Sequence, residues 1–224
     1  MSSIGYLWLS HEYRIFPVQP FPISSEIGSR RSSTQLGDLR NEIYPEVYRP
    51  KPNMSDHLAF ALRYEGVHLE FLARLYALET VKEALEEWIT REPVGIFARR
   101  ACFLYEWLMP DELSVAPTRT GNYVDALNPK DYLVGTAVNN PRWRVRNNLP
   151  GNRAFCPMIR RNEAVRNAER YDIASKLGEL ESDFGIDLIM RSTVWLTVKE
   201  SRASFLIEHE QDEEDRIRRF ANVM

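Results

Sequence analysis

Three groups of residues in this chain have the types and spacing to do chemistry. Glu65 and His68, in "RYEGVHLE", stand three residues apart. That Glu-x-x-His spacing puts both on one helix face as half of a carboxylate metal site. No second such pair accompanies them. The other histidines are His11, His57 and His209, and at about 1.5 Å per helical residue His57 is too far from His68 to share a ligand. The pair therefore reads as a partly solvated helix surface, and no metal is assigned.

The second group is Arg142, Trp143, Arg144 and Arg146, in "RWRVR". Between Pro141 and Arg170 the chain carries eight arginines against two glutamates. Guanidinium groups on phosphates, with Trp143 as a stacking platform, would make a nucleic-acid surface. The same planar forks also fix irregular loops by bonding backbone carbonyls and carboxylates. The net charge of −3, with twelve acidic residues against seven basic ones from Tyr171 onward, favours the structural use. These four residues stay as candidate anion contacts, and nucleic acid is not the expected partner.

The third group is Ser204 and Glu208, in "SFLIEHE". On a helix, residues four apart lie one above the other. A carboxylate at a partly buried helix edge needs a cation, although spacing alone fits a surface glutamate equally well. Other chemistry is missing: the sequence has no Gly-x-x-x-x-Gly-Lys-Ser/Thr or Gly-x-Gly-x-x-Gly phosphate loop and no Gly-x-Ser-x-Gly elbow.

The elements that position these groups follow from periodicity. Residues 1–54 open with a short amphipathic segment near Tyr6 to Tyr13 and then turn proline-rich. The expectation there is an extended arm with the serine-rich "SRRSSTQLGD" as its mobile tip. Leu58, Leu62, Glu65, Leu69, Leu72 and Tyr76 fall at helical spacing after a cap at Ser55 or Asp56. Thr80 and Glu83 have capping-box spacing for a second helix, Pro93 suits the first turn of a third, and Pro110 stops it. Residues 55–110 thus form a three-helix module.

Residues 111–160 lack a helical period, and an irregular basic segment with short strands is expected, Trp143 and Val145 facing one side and the arginines the other. Residues 161–224 return to helix, with a break at "ESDFGID" and a last long helix over about 187–210. Ile189, Leu196, Ala203 and Ile207 line one of its faces, and Thr197, Ser201, Ser204 and Glu208 another. The fold class this predicts is mainly α: a helical bundle with an extended Pro-rich N-terminal arm and a small irregular β-containing insertion. Cys102 and Cys156 read as reduced thiols. With no signal-peptide pattern and no apolar run of about 18 residues, a cytoplasmic protein is expected.

The blocks "HLAFALRYEGVHLEFL", "EPVGIFARRACFLYEWL", "TGNYVDALNP", "RWRVRNNLPGNRAFCP" and "KESRASFLIEHE" together resemble the N-terminal part of bacterial Fic-family proteins whose inhibitory helix precedes the Fic core. The resemblance covers nearly the whole chain. It implies a regulatory, autoinhibitory region of a protein that transfers AMP from ATP to hydroxyl side chains of target proteins. The family's catalytic signature, His-Pro-Phe-x-x-Asp/Glu-Gly-Asn-Gly/Lys-x-x-Arg, does not occur in these 224 residues, so no catalytic residue is assigned. Glu208 then corresponds to the inhibitory glutamate that pairs with the core arginine meant for the ATP γ-phosphate, and Ser204 to the hydroxyl one turn earlier.

His209 stands where the family has Gly or Asn, adding bulk and, when protonated, charge. It is a candidate modifier of the inhibition. The implied partners are the Fic core and a target protein, and ATP and Mg are expected only with that core. Two alternatives stand beside this one: an antitoxin-like inhibitor acting in trans on a separate Fic core, and a nucleic-acid-binding module using Arg142, Trp143 and the arginines up to 161.

Overall fold

The structure is a computed structural model that describes residues 2–207. Among those residues are eight α-helices and seven strands in two sheets. The chain divides into two units, Met1–Arg161 and Asn162–Met224. The expectation of a mainly α helical bundle is therefore wrong; the fold is mixed α/β.

The N-terminal 54 residues account for most of that difference. They form β1 (Ser2–Ile4), α1 (Tyr6–Tyr13), β2 (Ile23–Ile27), β3 (Ser32–Leu36) and β4 (Leu39–Tyr44). The sheet order is β1-β2-β4-β3, with β2 and β4 parallel and both outer pairs antiparallel. In β2, Ile23, Ser25 and Ile27 face inward, and Ile27 pairs across from Tyr44 of β4. These two pack with Ile4 and Phe60 in a small aromatic cluster. The serine-rich stretch expected as a mobile tip is the edge strand β3. Its five residues are all exposed, so no apolar alternation betrays it. The hairpin turns at Gly37, at φ 60°, with Leu36 opposite Leu39; that left-handed backbone suits glycine.

The helical module is α2 (Met54–Phe60), running on through a π turn over Ala61–Glu65, then α3 (Leu69–Tyr76), α4 (Glu79–Arg91) and α5 (Ile96–Leu108). Leu58, Leu72, Leu75, Leu85 and Leu104 sit at its fully buried centre. The start of α2 is capped by Asn53, whose Oδ1 accepts the Asp56 amide at 2.9 Å, rather than by Ser55 or Asp56. Thr80 and Glu83 do not form a capping box, because α4 already begins at Glu79, with no side-chain cap at Leu78. Pro93 lies outside α5, whose N-cap is Gly95. That helix does end at Leu108, just before Pro110, as the missing amide donor requires.

Residues 109–161 hold a second sheet, β5 (Val124–Asp125), β6 (Val138–Asn140) and β7 (Val145–Asn147), in the order β5-β7-β6. The second unit contains α6 (Glu163–Glu169), α7 (Ile173–Phe184) and α8 (Ile186–Ile207). Asn162 and Asp172 cap α6 and α7, accepting the amides of Val165 and Ser175. Gly185, at φ 77°, makes the break before α8, because only glycine takes that conformation without strain.

Candidate functional site

The helix expected to carry the inhibitory motif is α8. Its backbone is helical from Ile186 through Ser204 to Ile207, and Asp187 falls in its first turn. Glu208 and His209 lie outside the described residues. Of the expected apolar face, Ile189 is half-buried and Leu196 and Ala203 are exposed, and of the polar face Thr197 is half-buried. Leu188, Met190, Val194, Trp195 and Leu196 are each at least half exposed. Thr193 and Thr197 donate their hydroxyls back to the carbonyls of Ile189 and Thr193, both at 2.9 Å. In α7, Ile173, Leu177 and Phe184 are exposed as well.

The arginine segment is arranged for structure. Trp143 is completely buried, and its indole N–H donates to Glu106 Oε2 at 2.6 Å. It offers no face on which a base could stack. Arg142 donates its Nε–H to Glu106 Oε1 at 2.9 Å and its Nη2 to the Leu113 carbonyl at 2.7 Å. Arg144, at φ 50°, bonds the Gly121 carbonyl and lies over the Tyr123 ring. Arg146 grips Asp125 at 2.6 Å. The inward side of "RWRVR" is Trp143 and Val145, as alternation predicts. Its arginines bond carbonyls and carboxylates of the same unit.

Glu65 and His68 do not share a helix face. Gly66, at φ 91°, ends the π turn between them, and His68 instead caps α3 by accepting the Phe71 amide at 3.2 Å. Among the described residues no three His, Cys, Asp or Glu side chains are grouped to hold a metal. Cys102 and Cys156 are both free, and no described helix is long and apolar enough to cross a membrane.

What Glu65 does is absent from any sequence motif. It is 2% exposed, and its Oε2 accepts the Tyr6 amide at 2.8 Å, so a carboxyl from a distant element caps α1. The Gly5 amide beside it donates to His57 Nδ1 at 3.2 Å. The His57 ring stacks on Trp8 at 3.9 Å. A side chain at residue 5 would collide with the carboxyl oxygens at 2.4 Å.

Behind Glu65, the Tyr6 hydroxyl donates to the Gly66 carbonyl at 2.8 Å, and Tyr132 Oη accepts the Val67 amide at 3.0 Å. Arg160 donates to the Glu65 carbonyl. Burial pushes the Glu65 carboxyl up to about 8, against the Tyr6 amide, the Ser25 hydroxyl and Arg160, which favour its charged form. Neither its Oε1 nor the Ser25 Oγ makes a hydrogen bond of good geometry. The Ser25 hydroxyl is nonetheless close enough to act on the carboxyl and, as an acceptor, can take the proton of the neutral acid. Burial likewise drives His57 down to about 4, keeping it neutral and able to accept from Gly5.

No model of a known protein family, no curated protein and no solved structure matches the chain.

Proposed function

We propose that this chain is the autoinhibitory N-terminal region of a Fic-type protein AMP-transferase. The Fic core supplies the ATP and Mg site and the chemistry, and this chain supplies the restraint. The observation that carries the reading is α8: an unbroken 22-residue helix whose sequence runs through Ser204 directly into Glu208. Its Val194, Trp195 and Leu196 are open to solvent. Consecutive residues of a helix point to different sides, so apolar side chains are open around several faces of α8. That is the pattern of a helix that other structure covers, and a catalytic core is the body that the sequence blocks imply.

In this reading Glu208 pairs with the core arginine that otherwise grips the ATP γ-phosphate, and ATP is left with its α-phosphate misdirected. A charge-assisted hydrogen bond contributes about 1.5–3 kcal/mol, and each 1.4 kcal/mol or so is tenfold. One carboxylate thus holds activity down by roughly 10- to 100-fold and can still be released. The test is AMP incorporation from labelled ATP by a polypeptide that joins this chain to the Fic core. Glu208→Gly raises incorporation by about that factor; equal incorporation in the two proteins overturns the reading.

A further inference from the structure

In the first unit, a cleft of about 470 Å³ opens between the π turn, the start of α5 and the β5–β7 segment. Five arginines line it, Arg40, Arg63, Arg100, Arg146 and Arg160, against the carboxylates Asp125 and Asp131. Asp125 is already held by Arg146 at 2.6 Å and Arg40 by Glu42 at 2.9 Å. Among the described residues the Asp131 carboxylate accepts only from the neutral side-chain amide of Asn128, at 2.6 Å. Glu65 also lines the cleft, but burial holds its carboxyl protonated up to about pH 8. Arg63, Arg100 and Arg160 thus stand against one further carboxylate, Asp131, and the lining carries a net positive charge, although the whole chain carries a net charge of −3.

Arg100 is the telling residue. Its Nε–H goes to the Asp125 carbonyl at 3.0 Å and its Nη1 to the Leu62 carbonyl at 3.5 Å. Desolvation by burial holds its pKa below the ordinary arginine value. Among the described residues no carboxylate stands within ion-pair distance of Arg100, nor of Arg160, which bonds the Glu65 carbonyl and lies over the Tyr132 ring. Arg100 is half-buried, and the carboxylate that acts on it, Asp125, is already paired with Arg146. A guanidinium partly removed from water with so little counter-charge is costly, and an apolar side chain would hold α5 in place without that cost. Converging guanidinium groups suit a tetrahedral, multiply charged anion, whose several oxygens can accept several forks; one or two forks saturate a carboxylate. A cleft of this volume is in the range of small-molecule sites, about 300–1,000 Å³.

We propose that this cleft binds a small organic phosphate, whose anion supplies the counter-charge for Arg100 and Arg160. The site is independent of the AMP-transfer reading. It is tested by calorimetric titration of the full chain with pyrophosphate in low-salt buffer, with citrate as the carboxylate probe. Pyrophosphate binds at one site with Kd below about 1 mM, weakens steeply with added salt, and outcompetes citrate by about tenfold or more.

Arg100→Met lowers pyrophosphate affinity by about tenfold or more. Arg63→Gln removes a rim guanidinium that is exposed and contacts the Tyr64 ring. It lowers affinity several-fold with an unchanged melting temperature, so it carries the test if Arg100→Met does not fold. No binding at about 10 mM pyrophosphate, equal binding of citrate, or wild-type affinity in Arg63→Gln overturns the proposal.

Discussion

Replacing Glu65 with glutamine keeps the shape of the buried side chain, its acceptor for the Tyr6 amide and a donor for Ser25, and removes only the ionisable proton. In the native state that proton is held up to about pH 8 by burial, whereas an ordinary glutamate releases it near 4.5. Between those two values the folded protein keeps a proton that the unfolded chain has lost. Stability that is complete below pH 4.5 therefore falls as pH rises, and the loss is finished just above 8. At about 1.36 kcal/mol per pH unit, the interval of roughly 3.5 units is worth about 5 kcal/mol.

Urea denaturation of both proteins from pH 4.5 to 8.5, followed by tryptophan fluorescence, measures it. His57 titrates in both, so it cancels in the difference. The two proteins have similar stability at pH 4.5, and the variant's advantage widens by about 5 kcal/mol toward pH 8.5. A difference that stays constant across the range would refute the claim that this carboxyl is folded in as the neutral acid.

Three further outcomes follow from the same geometry. His57, held neutral with a depressed pKa, opposes folding once the unfolded chain's imidazole charges. Stability therefore falls on acidification from about 6.5 toward 4, and His57→Gln flattens that limb in the same urea series. Glu106→Ala strips partners from the buried Trp143 indole, the half-buried Arg142 and the Leu113 amide; leaving such donors unsatisfied costs about 1–3 kcal/mol, read as a lowered urea midpoint. Gly66→Ala puts a methyl 2.2 Å from Tyr132 Oη on backbone at φ 91°, and together the strain and the clash destabilise by about 3 kcal/mol or more, seen as a lowered melting temperature.

The helices were legible where apolar residues repeat at helical spacing and a proline or glycine punctuates them. Leu85, Trp88 and Ile89 face inward from α4, Pro110 follows the end of α5, and Gly185 separates α7 from α8. The N-terminal sheet was hidden because serine and charged residues dominate its strands. Only the "LGDL" turn between "SSTQL" and "LRNEIY" signals the hairpin. The continuous period from Leu58 to Tyr76 concealed the π turn, and Gly66 was the cue that the helix breaks there. Contacts such as Glu65 to Tyr6 and Arg160 to Glu65 join residues 59 and 95 positions apart. No local pattern encodes them, which is why the acid cap and the arginine cleft emerge only from the fold. Trp143 shows the limit of composition: a tryptophan between arginines suggested a stacking surface, and its N–H is spent on Glu106.

The account of function depends on the negative charge at residue 208, and Glu208→Gln is the change that isolates it, since it keeps the size of the side chain and discards the charge. In the polypeptide joining this chain to the Fic core, the rate of AMP incorporation from ATP is the quantity to measure. The account predicts that Glu208→Gln raises it by about tenfold or more. A rate equal to that of the unchanged protein would contradict it.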